Sequence, residues 1–188
     1  MRKDLPIYEI SIDLNNEETT LEKNSLVFDP AHEKAFQTFS KGQRWQFNDE
    51  ERIVIGVAIS AHTPIYRNLQ GEECYVVFTK QAIKAMVYDY ARRGNFNKVN
   101  IEHDKDIEGL SMVYSYQIDK DKGLTAPERF KDENDGSWIV GYKVANDEMW
   151  TKVKSGEFRG FSVEGVFEIG DSQFSQLNEI LEQLKSIQ

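Results

Sequence analysis

Cysteine and long apolar runs are scarce in this sequence, and each scarcity excludes a class of protein. The single cysteine, Cys74, excludes an internal disulfide framework and suits a reducing cytoplasm. No uninterrupted apolar run is long enough to cross a bilayer, and the basic start of the chain lacks the apolar stretch of a secretory signal. We therefore expect a protein that stays in the cytoplasm and contacts no membrane.

Basic residues are outnumbered by acidic ones. The 188 residues include 23 Lys and Arg against 32 Asp and Glu, which gives a formal net charge of −9. Because nucleic-acid phosphates repel such a chain on average, we expect no direct nucleic-acid binding. The apolar fraction of 39% and the aromatic fraction of 12% indicate a globular protein with a core of its own.

Motifs that bind metals and cofactors are also missing. The sequence has no HExxH or CxxC motif, and the run of His103, Asp104 and Asp106 lacks a second group of ligands at useful spacing. It has no glycine-rich phosphate loop, no dinucleotide fingerprint and no GxSxG elbow. Asp119 and Asp121 suggest a calcium loop, but the glutamate that closes such a loop is absent. We expect neither a metal nor a cofactor.

Alternation and capping patterns predict mostly strands, with helices inserted between them. The predicted strands are IYEISID, RIVIGVAIS, CYVVF, KVNIEHD, GLSMVYSYQI, SWIVGYKV and EFRGFSVEGVFEI, and NNEETTLEKN is predicted as a loop. Helices are predicted at 29–42, at 79–93, after Asn146 and in the tail. This order favours an α+β fold with a mostly antiparallel, closed or nearly closed β-barrel and inserted helices.

The predicted elements divide the chain into three parts. Residues 1–48 form an N-terminal lead-in of one strand and a short helix, 49–169 form the barrel domain, and 170–188 form a C-terminal amphipathic helix. An isolated helix with this apolar stripe would not be stable in water, because the stripe needs a surface to pack against. We therefore expect it to dock on the barrel or on a partner.

Three histidines are present, and nucleophilic hydrolysis usually requires one as a base. His32, on the predicted short helix, and His62, in a predicted turn, are expected at the surface. His103 shares strand parity with Val99 and Ile101, so it is predicted to point where the apolar side chains point. Two interpretations remain: a core histidine that bonds a backbone carbonyl, or a base held at a sheet surface where little water competes.

The stretch KSGEFRGFSVEG raises the same question for Ser162. Ser162 and Glu164 alternate with apolar residues, and a solvated polar face explains that pattern without any chemistry. Gly160 and Gly165, however, weaken a strand and usually mark a bulge or a close backbone approach. A peptide substrate or an oxyanion requires such an approach. Periodicity alone therefore leaves Ser162 as a surface residue or a nucleophile.

Four segments, in the same order, resemble the XkdF-type prohead proteases of tailed phages and prophages, which belong to a wider clan with herpesvirus assemblin. The segments are RIVIGVAISAHTPIYR, YVVFTKQAI, NKVNIEHD and GSWIVGYKVANDEMWTKVKSGEFRGFSVEG, and the similarity covers about residues 50 to 168. The last segment is long and specific. LPIYEISID and NSLVFDPAHEKAF in the lead-in are also similar to the start of some family members.

The resemblance implies a serine endopeptidase with a barrel-like β core, in which the histidine and the serine come from neighbouring strands. The histidine of the family's EHD motif falls on His103, and the serine of its GFSxEG motif falls on Ser162. His103 would remove the proton of Ser162 as the hydroxyl attacks a peptide carbonyl. The geometry that tests this is a Ser162 Oγ within hydrogen-bond reach of a His103 ring nitrogen.

The third catalytic residue has two candidates. Asp104 adjoins His103, but neighbours on a regular strand face opposite ways, so Asp104 would need a bulge or a strand end. Glu164 lies on the same face of its strand as Ser162. For the oxyanion, the candidate donors are the backbone N–H groups of Gly160, Phe161 and Val163, with Arg159 nearby.

The resemblance also implies partners and a place. Such enzymes trim the phage scaffold protein, or the scaffold segment of the major capsid protein, and often themselves, inside the assembling procapsid in the bacterial host cytoplasm. The tail helix is compatible with docking on a scaffold helix or a homodimer. Two alternatives remain: a catalytically silent scaffold-associated or virion structural module with the same fold, and an esterase-like hydrolase. The esterase would need an apolar pocket that the sequence does not show, and the sequence shows no pocket for substrate specificity either.

Overall fold

The computed structural model describes residues 5–27, 45–48, 51–69 and 71–171, with 45–48 described through their backbone alone. The helix predicted at 29–42 and the tail helix beyond residue 171 lie outside the described residues. Within them are two α-helices, α1 (Lys80–Arg92) and α2 (Asp147–Ser155). The described strands are β1 (Ile7–Ser11), β2 (Thr20–Val27), β3 (Trp45–Asn48), β4 (Ile53–Ile59), β5 (Ile65–Leu69), β6 (Glu72–Val77), β7 (Val99–Ile101), β8 (Lys105–Ile107), β9 (Leu110–Gln117), β10 (Trp138–Val144), β11 (Gly160–Val166) and β12 (Glu168–Asp171).

These strands form three four-stranded sheets, in the orders β12-β1-β6-β5, β3-β4-β10-β9 and β11-β2-β7-β8. Most neighbours pair antiparallel, whereas β1 with β6 and β2 with β7 pair parallel. The predicted α+β mixture, mostly β-sheet with two described helices, agrees with this. The predicted closed or nearly closed barrel is not supported, because each described sheet ends in two edge strands. Each parallel pair is joined by a long stretch of chain, and that stretch contributes strands to the other sheets.

Strands from the predicted lead-in are inner members of two sheets. β1 lies between β12 and β6, and β2 lies between β11 and β7. The loop prediction for NNEETTLEKN holds for residues 15–19 but is wrong for 20–24, since β2 begins at Thr20. The charged residues Glu22 and Lys23 make this segment resemble a loop in the sequence. In the structure both lie on the strand and are partly buried, and Asn24 is fully buried. The division into domains at residues 48 and 169 stays a prediction.

Both described helices begin and end as their capping residues predict. The Thr79 side chain accepts a hydrogen bond from a backbone N–H in the first turn of α1, and Asn146 does the same for α2. Gly94 follows α1 with φ of 67°, and Gly156 ends α2 with φ of 74°, a conformation that glycine adopts without strain. Neither helix is long and apolar enough to span a membrane, and the same holds for every helix in the described ranges.

Aromatic side chains form the centre of the core behind β2 and β11. Tyr90 packs edge-on against Trp138, with ring centroids 5.4 Å apart. The Tyr142 ring lies 5.5 Å from that of Phe161, and its hydroxyl accepts a 2.9 Å hydrogen bond from Asn24 Nδ2. All four rings are buried. Large buried aromatic groups of this kind resist displacement, so they hold in place the strands that carry the site.

Candidate active site

Three neighbouring strands align polar side chains at one level of the sheet β11-β2-β7-β8. Ser162 on β11 pairs in register with Ser25 on β2, and Ser25 pairs in register with Asn100 on β7. Partners in register point their side chains to the same face, so these three form a row. Ser25 and Asn100 are only 0% and 1% exposed. Buried polar side chains require hydrogen-bond partners.

His103 lies in a turn after β7. The strand ends at Ile101, and the N–H of Asp104 donates a 2.9 Å hydrogen bond to the Ile101 carbonyl. Glu102 and His103, at the centre of this turn, have φ angles of 51° and 60°. Residues with a Cβ seldom adopt this left-handed region, and where they do the surrounding structure must hold them there. The parity prediction for His103 is therefore wrong, because the strand ends before this residue.

The turn places the His103 ring at the polar row. Its Nε2 is 3.1 Å from Ser162 Oγ, and its Nδ1 is 2.9 Å from Ser25 Oγ. When Nδ1 carries the ring hydrogen and donates it to Ser25, Nε2 is free to accept the Ser162 hydroxyl proton. The side chain of His103 is 39% exposed, so solvent reaches the ring. The predicted contact between the Ser162 hydroxyl and a ring nitrogen of His103 is therefore present.

Glu164 also approaches the ring of His103. Its Oε2 is 3.6 Å from His103 Nδ1 and accepts a 2.6 Å hydrogen bond from Asn100 Nδ2. Lys23 is its register partner on β2. A hydrogen bond to the Asp106 carboxylate, with a smaller contribution from the Glu164 charge, raises the pKa of Lys23. The Glu164 carboxylate is thus restrained by an amide on one side and accompanied by a cation.

Asp104, the other predicted third residue, does not reach the ring. It is exposed, and among the described residues its carboxylate forms no hydrogen bond or ion pair with His103. Asp104 contributes to the turn through its backbone N–H, which donates the hydrogen bond to the Ile101 carbonyl. His62, predicted at the surface, is exposed. Of the two acidic candidates, only Glu164 lies close to the imidazole.

The residues predicted to bind an oxyanion flank Ser162 on β11. Gly160 pairs with Val27 on β2, Phe161 is buried against the core, and Val163 is partly buried. The N–H of Arg159 donates a 2.9 Å hydrogen bond to a β2 carbonyl, so the sheet already uses this donor, and the residue itself is exposed. Their role in binding an oxyanion stays a prediction.

The predicted backbone irregularity is found at Gly165. The pairing of β11 with β2 shifts register between Glu164 and Gly165, which is a bulge or similar irregularity. A Cβ added to Gly165 would lie only 2.1 Å from the carbonyl oxygen of Thr20. Only glycine allows the two backbones to approach this closely. The irregularity follows directly after Glu164 in the chain. The regular pairing of β11 with β2 therefore extends through Ser162 and Glu164 and shifts after them.

Ser25 and Asn100 belong to the candidate site, and the sequence patterns did not predict either of them. Ser25 lies directly beyond the segment predicted as a loop, so no strand face was assigned to it. Asn100 stands between Val99 and Ile101, and a polar residue inside a short apolar strand indicates a specific hydrogen-bond partner. Read this way, KVNIEHD alone identifies Asn100 as a candidate. Nothing in the local pattern around Ser25 identifies its partner.

The site can move a proton from a hydroxyl to an imidazole. Ser162, His103 and Glu164 follow one another as hydroxyl, base and carboxylate, with Ser25 as an additional hydroxyl at Nδ1. The same order of groups activates serine nucleophiles on unrelated folds. Such contacts often lengthen in the absence of substrate, and the hydroxyl–imidazole distance is already within hydrogen-bond range.

The acidic residues that suggest a calcium loop surround a lysine. Lys80 Nζ lies 2.8 Å from carboxylate oxygens of Asp119 and Asp121 and 2.9 Å from one of Asp135. Hydrogen bonds to these carboxylates, to Asp119 above all, raise the pKa of Lys80. Hydrogen bonds from Lys122 and Lys80 lower the pKa of Asp119 to about 2. No group of three or more His, Cys, Asp and Glu within the described ranges is arranged to hold a metal ion.

A protein-family model matches a large part of the chain. The model of the family described as "Putative phage serine protease XkdF" matches residues 44–170, which include His103, Ser162 and Glu164. No curated protein and no solved structure matches the chain. The family match spans more than half of the 188 residues and confirms the resemblance seen in the motifs. The chain therefore belongs to the XkdF family of phage serine protease-like proteins.

Proposed function

We propose that this protein is a serine endopeptidase in which Ser162 is the nucleophile and His103 is the general base. The observation that supports this most strongly is the 3.1 Å separation of Ser162 Oγ and His103 Nε2. The two residues are 59 positions apart in the chain, so the fold, and not sequence proximity, creates the contact. Membership of a family of phage serine protease-like proteins supports the same reaction class.

In the proposed reaction, Ser162 Oγ attacks the carbonyl carbon of a peptide bond while His103 Nε2 takes the hydroxyl proton. The tetrahedral intermediate then collapses: the C–N bond breaks, and His103 returns the proton to the leaving amine. Water attacks the resulting acyl-enzyme and gives up a proton to His103. The acyl group leaves as a carboxylic acid, and the Ser162 hydroxyl is restored.

Glu164 and Ser25 are proposed to support His103 through its second ring nitrogen. Once His103 is protonated, Nδ1–H faces Ser25 Oγ at 2.9 Å and Glu164 Oε2 at 3.6 Å. A nearby carboxylate stabilises the imidazolium, and a hydrogen-bond acceptor at Nδ1 orients the ring. We therefore propose Glu164, rather than Asp104, as the third member, and Ser25 as a positioning residue.

The oxyanion is proposed to bind backbone N–H groups beside Ser162, at Gly160, Phe161 and Val163, with the Arg159 side chain adding positive charge. Support comes from the position of β11, which is an edge strand whose outer side pairs with no other described strand. An edge strand offers main-chain groups to an extended peptide. A substrate segment that runs beside β11 would bring a carbonyl to Ser162.

The proposed substrates are the phage scaffold protein, the scaffold segment of the major capsid protein, and the protein itself. The proposed place is the interior of the assembling procapsid in the cytoplasm of the bacterial host, where capsid maturation occurs. Homodimerisation is part of the proposal. The family description supports a phage serine protease. The substrates, the place and the homodimer are what the motif resemblance to prohead proteases implies.

Intact-mass spectrometry tests the proposed activity directly. Wild-type and Ser162→Ala proteins are each incubated with the scaffold and capsid proteins encoded beside the gene. We expect defined fragments with the wild type and none with Ser162→Ala or His103→Ala. Cleavage by Ser162→Ala at the wild-type rate would refute the proposed nucleophile.

A second candidate function is a catalytically silent scaffold-associated or virion module. One observation favours it: a neutral hydroxyl, Ser25 Oγ, lies 2.9 Å from His103 Nδ1, whereas the Glu164 carboxylate lies 3.6 Å away. Ser25, His103 and Ser162 would then form a polar network that stabilises the sheet. Under this function, the scaffold protein stays intact with the wild type but co-purifies with it.

A further inference from the structure

Ser162 also lines a cavity that lies among the three sheets. The cavity has a volume of about 260 Å³ and takes its walls from β1, β4, β5, β6, β11 and β12. Most of the wall is apolar and includes Ile59, Ile65, Val76 and Phe167. One water occupies about 30 Å³ in the liquid, so this space is large enough for an amino-acid side chain. The segment of β11 that carries the proposed nucleophile is therefore part of the wall of an apolar recess.

Arg67 is the only charged residue among the described residues that line the cavity. It lies on β5, in register with the buried Cys74 on β6, and is itself partly buried. Its Nη1 donates a 2.9 Å hydrogen bond to the Tyr66 carbonyl. Burial lowers the pKa of the Arg67 guanidinium. The positive charge is therefore held in surroundings that solvate it poorly.

No carboxylate in the described part of the chain forms an ion pair with Arg67. This is notable in a chain with 32 acidic residues against 23 basic ones. A guanidinium has five N–H donors arranged in a planar fork that fits a carboxylate. A partly desolvated charge without a counter-ion is costly, and a carboxylate from a bound molecule would remove that cost.

We propose that the cavity binds a glutamate side chain of the substrate polypeptide, next to the bond that Ser162 attacks, and that Arg67 determines this specificity. The inference rests on the proposed endopeptidase function. The carboxylate meets the guanidinium, and the methylene groups of the glutamate lie against the isoleucine and valine side chains of the wall. The sequence predicts no pocket for specificity, and the fold creates one from strands that are distant in the chain.

Other side chains fit this recess less well. A lysine or arginine of the substrate would face the Arg67 charge and be repelled. An apolar side chain would fill the space but would remove water from the guanidinium without replacing it by a hydrogen-bond acceptor. Attraction to glutamate and rejection of basic residues therefore come from the same group.

The experiment is a digest of a peptide library prepared from a bacterial proteome, with new chain ends identified by mass spectrometry. Wild type, Arg67→Gln, Arg67→Lys, Arg129→Gln and Ser162→Ala are compared. Arg129 is exposed and does not line the cavity, so its variant is the matched control for loss of one positive charge.

For the wild type and Arg129→Gln, we expect glutamate to be enriched at one position within two residues of the cleaved bond. Arg67→Gln loses at least about tenfold of its rate on these sites, as expected for removal of a charge-assisted hydrogen bond, and keeps its rate on sites without glutamate. Arg67→Lys retains the preference in weaker form. Wild-type cleavage without glutamate enrichment, or an unchanged site profile in Arg67→Gln, would overturn the specificity proposal and leave the endopeptidase proposal standing.

A binding measurement separates the two proposals if the wild type cleaves nothing. The probe is the capped dipeptide acetyl-Leu-Glu-amide, added to the Ser162→Ala protein and followed through the methyl NMR signals of Ile59 and Ile65. We expect shifts with this probe, and shifts at least about tenfold weaker at equal concentration with acetyl-Leu-Gln-amide or after Arg67→Gln. Equal shifts for both dipeptides would overturn the inference, whatever the protein does as an enzyme.

Discussion

Glu164→Gln is the substitution that most sharply separates the proposed catalytic arrangement from a structural one. It keeps the shape of the side chain and an oxygen for Asn100 Nδ2, but it removes the negative charge 3.6 Å from His103 Nδ1. In the proposed reaction His103 is positively charged only in the transition state and the intermediates. The lost attraction should therefore lower kcat and leave KM unchanged.

The size of the effect follows from the distance and the exposure of the pair. Two unit charges at 3.6 Å attract by roughly 4 to 5 kcal/mol at an effective dielectric constant of about 20. The two side chains are 39% and 33% exposed, and exposed ion pairs contribute only about 0 to 1 kcal/mol, so we discount the attraction to about 1 to 2 kcal/mol. This corresponds to a loss of about 5- to 30-fold in kcat.

The assay is steady-state cleavage of a fluorogenic peptide that spans a site mapped with the wild-type protein. Asp104→Asn is the matched control, because it also removes one negative charge near His103. Among the described residues, the Asp104 carboxylate makes no contact with the His103 ring. We expect Asp104→Asn to stay within about twofold of the wild type, inside the range of remote surface changes. The reasoning is refuted if Glu164→Gln is as active as the wild type, or if Asp104→Asn loses as much.

Two further predictions concern stability. Gly165→Ala puts a Cβ 2.1 Å from the Thr20 carbonyl oxygen, and we expect a loss of about 2 kcal/mol, or about 4 to 8 °C in Tm. Gly170→Ala, whose added Cβ meets nothing within 4 Å, should leave Tm unchanged. The pKa of Asp119 is lowered to about 2 by its hydrogen bonds to Lys122 and Lys80, so its contribution is complete above its usual pKa of 3.8 and is lost as the pH falls towards 2. Asp119→Asn should therefore be less stable at neutral pH and show a shallower loss of unfolding free energy between pH 4 and pH 2; an unchanged slope in acid denaturation would contradict this.

Local patterns predicted the described helices well, since their ends depend on neighbours in the chain. Thr79 and Asn146 cap the helices that follow them, and Gly94 and Gly156 adopt the left-handed conformation after the helices. The strands were mostly found by alternation, but their partners were not. Pairing depends on contacts between distant segments, such as β2 with β7, and a single sequence carries no local mark of these contacts.

In the candidate site, too, the sequence predicted some features, and others depend on contacts that only the folded chain makes. Motif resemblance singled out His103 and Ser162 as candidates, and strand parity correctly put Ser162 and Glu164 on one face, where both approach the same ring. Parity failed at His103 because β7 ends at Ile101 and the backbone turns with positive φ at Glu102 and His103. Ser25 was missed because its role arises from sheet register with Ser162, which only the folded chain creates.

The central claim is that His103 activates Ser162, and covalent labelling tests it most directly. A fluorophosphonate probe reacts with an activated serine: the Ser162 Oγ–P bond forms, the P–F bond breaks, and the hydroxyl proton passes to His103. Peptide mapping of the full-length protein should find the label on Ser162 in the wild type and none after His103→Ala. Absence of label on wild-type Ser162, or labelling that His103→Ala leaves unchanged, would contradict the account.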